Sequence, residues 1–297
     1  MMKKLAILFL LTALVGSFAF AIDGIGDFKA QVELSFDNLT GGNDGDVAIG
    51  IEPQFIYSRS FGAFGLEAGV GDYLEIPTGD TADKADAADF DKFDNDLYVY
   101  VKPSYSLEAG PGTLGFALTI KPKFHLTSYK GDTKDADFII NPAISYTGID
   151  VGVGSLGFEL ATDDMGLYDG ENEDRDGYGL KVADLYFKAS FALSSIPLSF
   201  WVSPRLTIAT NDAQGDTELS SIRFDGTYAF SETMNAGLEV RLGLGDTFDA
   251  EGVMLKPHFN ASFGAIGAWA AVEISQLGAD VKDDIQIKPI VGASYSF

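Results

Sequence analysis

Phe28-Lys29-Ala30-Gln31-Val32-Glu33-Leu34-Ser35-Phe36-Asp37 is the stretch on which the fold turns. Its even positions are apolar and its odd positions polar, a period of two that suits a strand with successive side chains on opposite faces and no helix. The pattern repeats outward along the chain. Val47, Ile49, Ile51, Pro53, Phe55 and Tyr57 give a second apolar face. Leu114, Phe116, Leu118, Ile120, Pro122, Phe124 and Leu126 give another, opposite Thr119, Lys121, Lys123 and His125. No window carries a convincing stripe of helical period. Reading on predicts about 14 strands, near 28–37, 47–58, 64–74, 97–107, 114–128, 138–147, 156–162, 180–193, 198–209, 221–230, 234–245, 253–263, 266–276 and 285–297.

The composition narrows the function. Twenty Lys and Arg stand against 44 Asp and Glu, a net charge of −24, and there is no Cys. An acidic chain without a basic tract is not expected to bind nucleic acid through its phosphates. Disulfide scaffolds, thiolate metal sites and cysteine nucleophiles are excluded, and only two His remain for acid–base work. Hydrophobic residues at 46% are too many for a disordered acidic chain.

The N-terminus reads as a processing signal. Lys3 and Lys4 precede an apolar run from Leu5 to Phe18, and Ala19-Phe20-Ala21 has the small-x-small cleavage pattern. Residues 1–21 are therefore expected to be a cleaved Sec signal peptide, leaving 22–297 as a single domain.

The connections between the strands alternate in kind. Long, acidic, Gly/Asp/Asn-rich segments follow the odd-numbered strands: Asp37 to Asp46, Ile76 to Asp96, Lys130 to Asp137, Asp163 to Tyr178, Asn211 to Glu218, Asp246 to Gly252 and Leu277 to Asp284. Short links such as Ser60 to Ala63, Ser194 to Pro197, Ser231 to Thr233 and Gly264-Ala265 follow the even-numbered ones. An even strand count with short turns at one end and long loops at the other is the organisation of a transmembrane barrel.

Two repeats reinforce this reading. Gly62-Ala63-Phe64-Gly65-Leu66, Gly112-Thr113-Leu114-Gly115-Phe116, Gly154-Ser155-Leu156-Gly157-Phe158 and Gly264-Ala265-Ile266-Gly267-Ala268 share one pattern. Its first Gly is expected to make the turn and its second to keep the inner face clear. Pro falls on the apolar parity at 53, 103, 122, 142, 204, 257 and 289, where it is expected to be a local defect in the ladder.

The apolar parity is expected to carry no charge, and it ends, on the short-turn side, in Tyr57, Tyr105, Tyr146, Phe191, Tyr228, Phe230, Phe263, Tyr295 and Phe297. Hydrocarbon selects such a face, because Lys or Arg at the bilayer midplane of a barrel surface costs about 2–4 kcal/mol. Interfacial aromatics suit its edge. The expected fold is all-β: an antiparallel up-and-down transmembrane β-barrel of about 14 strands, with 12 to 16 as the bracket.

With its signal, its amphipathic strands and its closing Tyr295-Ser296-Phe297, the chain resembles the bacterial outer-membrane β-barrel proteins and is porin-like. The resemblance implies outer-membrane localisation and lipid contact. It also implies that Val291, Ala293, Tyr295 and Phe297 are the signal read by the barrel-assembly machinery.

The opposite parity carries Lys29, Lys102, Lys121, Lys123, Lys188, Arg205, Arg223, Arg241, Lys256 and Lys288, with Glu33, Glu52, Glu67, Glu159, Asp184, Asp225, Glu239 and Glu273. A mixed charged lining below an acidic rim is the composition of an aqueous pore passing small hydrophilic solutes or cations. A passive porin is the expected function, not an enzyme and without a cofactor or dedicated metal site. A surface adhesin or structural barrel is the alternative of another class. A lipid hydrolase would have to use His258, Asn260 and Ser262, which alternate on one strand face; His125 reads as a lumen residue. Asp80, Asp83, Asp86, Asp89, Asp91, Asp94 and Asp96, and likewise Asp163, Asp164, Asp169, Glu171, Glu173, Asp174 and Asp176, supply oxygen ligands without an EF-hand pattern, so loose divalent binding is the most they imply.

Overall fold

The computed structural model describes residues 26–37, 47–78, 94–127, 137–163, 165–168, 179–208, 217–244, 252–277 and 285–297. The signal segment 1–21 and most of the two acidic stretches, 79–93 and 169–178, lie outside the described residues. The described chain is strand with tight turns. In order the strands are β1 (Asp27–Asp37), β2 (Val47–Phe61), β3 (Phe64–Thr78), β4 (Asp94–Ala109), β5 (Gly112–Thr127), β6 (Asp137–Asp150), β7 (Gly154–Asp163) and β8 (Gly166–Tyr168). There follow β9 (Gly179–Leu193), β10 (Leu198–Ile208), β11 (Glu218–Ala229), β12 (Met234–Gly243), β13 (Val253–Phe263), β14 (Ile266–Leu277) and β15 (Gln286–Ser296).

Each strand pairs antiparallel with its neighbours, and the ring shuts where β15 pairs with β1. Phe297 N–H donates to Phe28 O at 2.8 Å across that seam. The result is a closed 14-strand antiparallel barrel, the fold the alternating pattern predicts. Fifteen elements make 14 staves because β7 and β8 are one stave with a break: both lie between β6 and β9. At the break Asn141 Oδ1 accepts the Met165 N–H at 3.0 Å, taking the place of a ladder carbonyl. This corrects the expected loop from Asp163 to Tyr178. Asp163 ends β7, and strand resumes at Gly166. Strands also reach further than expected at the long-connection end, so Asp94 and Asp96 belong to β4.

The glycine repeat divides into two jobs. Gly62 and Gly264, with φ of 64° and 62°, occupy the left-handed region that a two-residue hairpin turn requires. In the other two copies the turn glycine stands two positions earlier, at Gly110 and Gly152, and Gly112 and Gly154 open the next strand. The second Gly of every copy faces a serine on the neighbouring strand: a Cβ at Gly65, Gly115, Gly157 or Gly267 would come within 2.5–2.7 Å of the Oγ of Ser104, Ser145, Ser190 or Ser294. The prolines shift no register, but as expected several interrupt the ladder on one side: pairing passes from Ile51 to Gln54 along β2–β3, from Val101 to Ser104 along β4–β5, from Val202 to Arg205 along β10–β9 and from Leu255 to His258 along β13–β14. Val32 faces Pro53, Leu66 faces Pro103 and Leu118 faces Pro142 with no shift of register.

Register shifts occur elsewhere. Ser220 on β11 and Ala183 on β9 are skipped in their pairings with β10, the mark of a bulge. Below its bulge Leu219 changes face and is 45% exposed with the other large apolar side chains. The apolar face is not free of charge as expected: it has an acidic interruption within its predicted strands. Asp72 lies on the parity of Leu66, Val70 and Leu74, where its side chain hydrogen-bonds to Asn95.

Candidate functional site: the inner face

Which face is inner follows from contacts that leap a strand. On the concave side of a barrel, side chains of alternate staves converge; on the convex side they diverge. Trp269 Nε1 on β14 donates to Glu33 Oε2 on β1 at 3.0 Å, passing over β15. Tyr98 Oη on β4 donates to Glu52 Oε1 on β2 at 2.6 Å, passing over β3. His258 Nε2 on β13 meets Asp225 Oδ2 on β11 at 2.7 Å, passing over β12. Arg205 Nη1 on β10 reaches Asp163 Oδ2 on β7 at 3.0 Å, passing over β9. All belong to the polar parity, which is therefore the inner face. Phe116, Phe158, Phe187, Phe224, Leu238 and Phe259 stand on the other parity, each 37–45% exposed.

Glycines in the crossed strands make the leaps possible. Gly292 lies in register between Trp269 and Glu33, and a Cβ there would collide with the indole. Gly71 lies under the Tyr98 ring in the same way, and Gly69 under Tyr100. At Gly237 a Cβ would stand 2.6 Å from the His258 imidazole. Each ring lies over a glycine and delivers its polar atom to a carboxylate beyond or beside it.

The charged residues predicted for the lumen are placed on this parity, and the barrel joins many of them. Lys123 Nζ pairs with Asp96 Oδ2 at 2.7 Å, and Lys256 Nζ with Glu273 Oε2 at 3.7 Å. The ladder sets Glu67 opposite Lys102, Glu159 opposite Lys188, Glu239 opposite Lys256 and Glu273 opposite Lys288. Lys121 Nζ stands 4.2 Å from the Tyr98 ring centroid and Lys188 Nζ 4.9 Å from that of Trp201. Lys29 faces Ile56 and Ser296 near the seam. Asp184 faces Asp163 in the β7–β9 ladder, and its side chain falls outside the described residues.

Several pairs break the rule of opposite charges, among them Glu75 opposite Asp94 and Asp163 opposite Asp184. Glu33 and Glu52 are direct register partners, and so are Arg223 and Arg241. Asp225 also faces Glu239, but its two oxygens are engaged by Thr227 Oγ1 at 2.8 Å and by His258.

Sequence reasoning from charge alone misses the aromatic partners, Tyr98, Tyr100, Tyr186, Trp201 and Trp269. The available signal was an aromatic residue on the polar parity of its strand. Of the expected hydrolase set, His258 is tied to Asp225, and Asn260 Nδ2 donates to Asn235 Oδ1 at 2.9 Å. Ser262 lies exposed toward the short-turn end, with its backbone N–H on Thr233 O. The three thus take separate surroundings and do not converge. Among the described residues no three His, Asp or Glu side chains gather as metal ligands would.

No protein-family model matches the chain and no curated protein matches it. Solved structures similar in shape include the Acinetobacter baumannii outer membrane protein Omp33, at 8% identity and TM-score 0.48 over 92% of this chain and 98% of that one. The Ralstonia pickettii toluene transporter TbuX matches at 10% identity and TM-score 0.48 over 92% and 90%. The KdgM porin, solved in complex with disordered oligogalacturonate, matches at 10% identity and TM-score 0.41 over 91% and 99%. The likeness at this level is one of barrel shape.

Proposed function

We propose that the chain is an outer-membrane channel through which small hydrophilic solutes or ions diffuse passively along the charged inner face. One observation carries this reading: several inner charges that pair with one another stay in reach of water, although Asp96, Arg205 and Asp225 are only 10–15% exposed. The side chains of Lys123 and Lys256 are 29% exposed, that of Glu273 31% and that of Asp163 47%. Among the described residues the largest fully buried side chain is a serine, Ser221. A barrel interior sealed by its own side chains would bury many large ones, as eight-strand barrels do. Fourteen staves enclose more room than eight, which supports a lumen lined but not filled by side chains.

In this reading the eighteen charged residues of the polar parity are the pore lining, with the aromatic partners holding several of them in place. The outer apolar parity meets lipid. Residues 1–21 direct export, and Val291, Ala293, Tyr295 and Phe297 present the last strand to the assembly machinery. The acidic connections gather cations, divalent ones loosely, at one mouth.

The test is conductance of the refolded protein in planar lipid bilayers. Discrete, ion-selective current steps are expected. Stable insertion without any step would overturn the channel and leave a surface adhesin or structural barrel.

A further inference from the structure

The wall on either side of Glu33 and Glu52 is built twice to one plan. On one side Tyr98 lies over Gly71 and donates its hydroxyl to Glu52 Oε1 at 2.6 Å. On the other Trp269 lies over Gly292 and donates its indole N–H to Glu33 Oε2 at 3.0 Å. Because Glu33 and Glu52 are register partners, two carboxylates stand side by side between two aromatic rings.

Like charges directly opposite destabilise a sheet unless other groups answer them. In two further acidic pairs of this wall basic side chains do so: Arg205 stands 3.0 Å from Asp163, His258 stands 2.7 Å from Asp225, and Lys256 faces Glu239. Glu33 and Glu52 meet neutral donors instead. Tyr98 and Gln54 both donate to Glu52 Oε1, at 2.6 and 2.7 Å, and Trp269 donates to Glu33 Oε2. Among the described residues no Lys, Arg or His forms an ion pair with either carboxylate, and both residues are partly exposed. Glu33 Oε1 and Glu52 Oε2 have no donor among those residues.

The two halves of the plan differ at the rings. Lys121 Nζ stands 4.2 Å from the Tyr98 ring centroid; with Gly71 beneath it and this ammonium against it, Tyr98 is only 5% exposed. Trp269 is partly exposed, and among the described residues no Lys or Arg stands over it. Yet indole is the aromatic face that attracts a cation most strongly. Counting Lys121, two carboxylates share one positive charge, and the end that lacks a second is the Trp269 end.

We propose that Trp269, Glu33 and Glu52 form a binding site in the lumen for an organic cation, the ammonium or guanidinium group of a small solute. The cation takes at Trp269 the place that Lys121 takes at Tyr98. Its charge lies against the indole face, and its N–H groups donate to the two carboxylate oxygens that lack donors. The net charge of −24 draws cations toward the barrel. The indole also covers the apolar carbon of the solute, which a hydrated metal cation does not offer. The inference rests on the channel reading and names the solute class that lingers in it.

The test pairs calorimetry with conductance on the full barrel. Butylammonium chloride and methylguanidinium chloride are titrated separately into detergent-solubilised protein at constant ionic strength, then added to bilayers carrying potassium current. Saturable heat at one equivalent and saturable current block are expected for at least one probe, and neutral butanol should give neither. Glu33→Gln keeps an acceptor for the indole N–H and should weaken binding about tenfold, the scale of one charge-assisted hydrogen bond. Trp269→Leu should weaken it about threefold, the scale of one cation–π contact. Glu232→Gln removes an equal charge from a short turn and should leave binding unchanged, whereas Lys121→Ala bares the Tyr98 ring and should raise the stoichiometry to two. Heat-modifiable migration confirms that each variant is folded. No saturable heat with either probe, or undiminished binding in folded Glu33→Gln and Trp269→Leu, overturns the site; so does unchanged stoichiometry in Lys121→Ala, because the two rings would then not be equivalent. Binding without any current in the unmodified protein would retain the site and overturn the channel.

Discussion

Trp269 reaches Glu33 across a full strand, its indole N–H 3.0 Å from the carboxylate, because the residue between them is Gly292. The contact couples staves that share no backbone hydrogen bonds and sits beside the β15–β1 seam, where the first and last strands must find each other. A ring over glycine recurs at Tyr98 over Gly71 and His258 over Gly237. The inner wall is thus braced at second-neighbour range in addition to its ladders.

Gly292→Ala should therefore destabilise the barrel although alanine is the smallest possible change. The new Cβ displaces the indole, and overpacking with loss of the Glu33 bond is expected to cost about 1–3 kcal/mol. Gly226→Ala is the control, because a Cβ there meets nothing nearer than 3.8 Å, on Phe224. Urea unfolding followed by Trp269 fluorescence, in a Trp201→Phe background, measures both; equal stability of Gly292→Ala and its parent would remove the bracing argument.

The strand faces can be separated by charge. Leu118→Arg puts a cation on the lipid parity and should cost about 2–4 kcal/mol near the midplane, reading out as poor insertion. Lys123→Glu, on the inner face, should insert normally. It places a second carboxylate beside Asp96, from which Lys123 Nζ now stands 2.7 Å, and should raise cation selectivity in zero-current potentials. Normal insertion of Leu118→Arg with failure of Lys123→Glu would reverse the faces.

Most of the fold was legible because the inside–outside alternation of a strand is written into sequence at period two. Residues 28–37 alone show it, and the number of staves follows by counting. Less legible were features that depend on register. Nothing local to Ser220, Ala183 or Gln276 distinguishes a bulge from a regular strand residue, and Asp163-Asp164-Met165-Gly166 reads as loop although strand continues beyond it. The charged lining could be named by parity, but the partners could not. That Glu33 faces Glu52, or that Arg223 faces Arg241, is set by which hairpin offsets accumulate around the ring. The aromatic bridges were hidden for the same reason, since a ring on one strand and its glycine on the next meet only once the barrel has closed.

Topology is open to labelling. Cys introduced at Asp86 or Asp174, in long connections, should react with a membrane-impermeant maleimide on intact cells. Cys at Glu232, in the four-residue link 230–233 between β11 and β12, should react only after the outer membrane is permeabilised. The opposite pattern would turn the barrel over and place its acidic mouth inside.

Phe297 offers the last test, because it joins two roles at one residue. Its N–H closes the ring on Phe28 O, and its side chain packs edge-on against Tyr295 at 4.8 Å between centroids. Deleting Phe297 removes at least the hydrogen bond to Phe28 and the ring contact with Tyr295, together about 1–3 kcal/mol, a loss that lowers stability without abolishing a barrel of 14 staves. If the residue is also read during assembly, the defect in cells should far exceed the defect in vitro: the deleted chain should refold in detergent to a heat-modifiable barrel, yet accumulate in cells as an exported, protease-sensitive form. Phe297→Tyr, which keeps an aromatic ring and the backbone donor, should restore much of the insertion. Equal impairment in both settings would make Phe297 a structural residue alone, and unimpaired insertion of the deleted chain in cells would remove its assembly role.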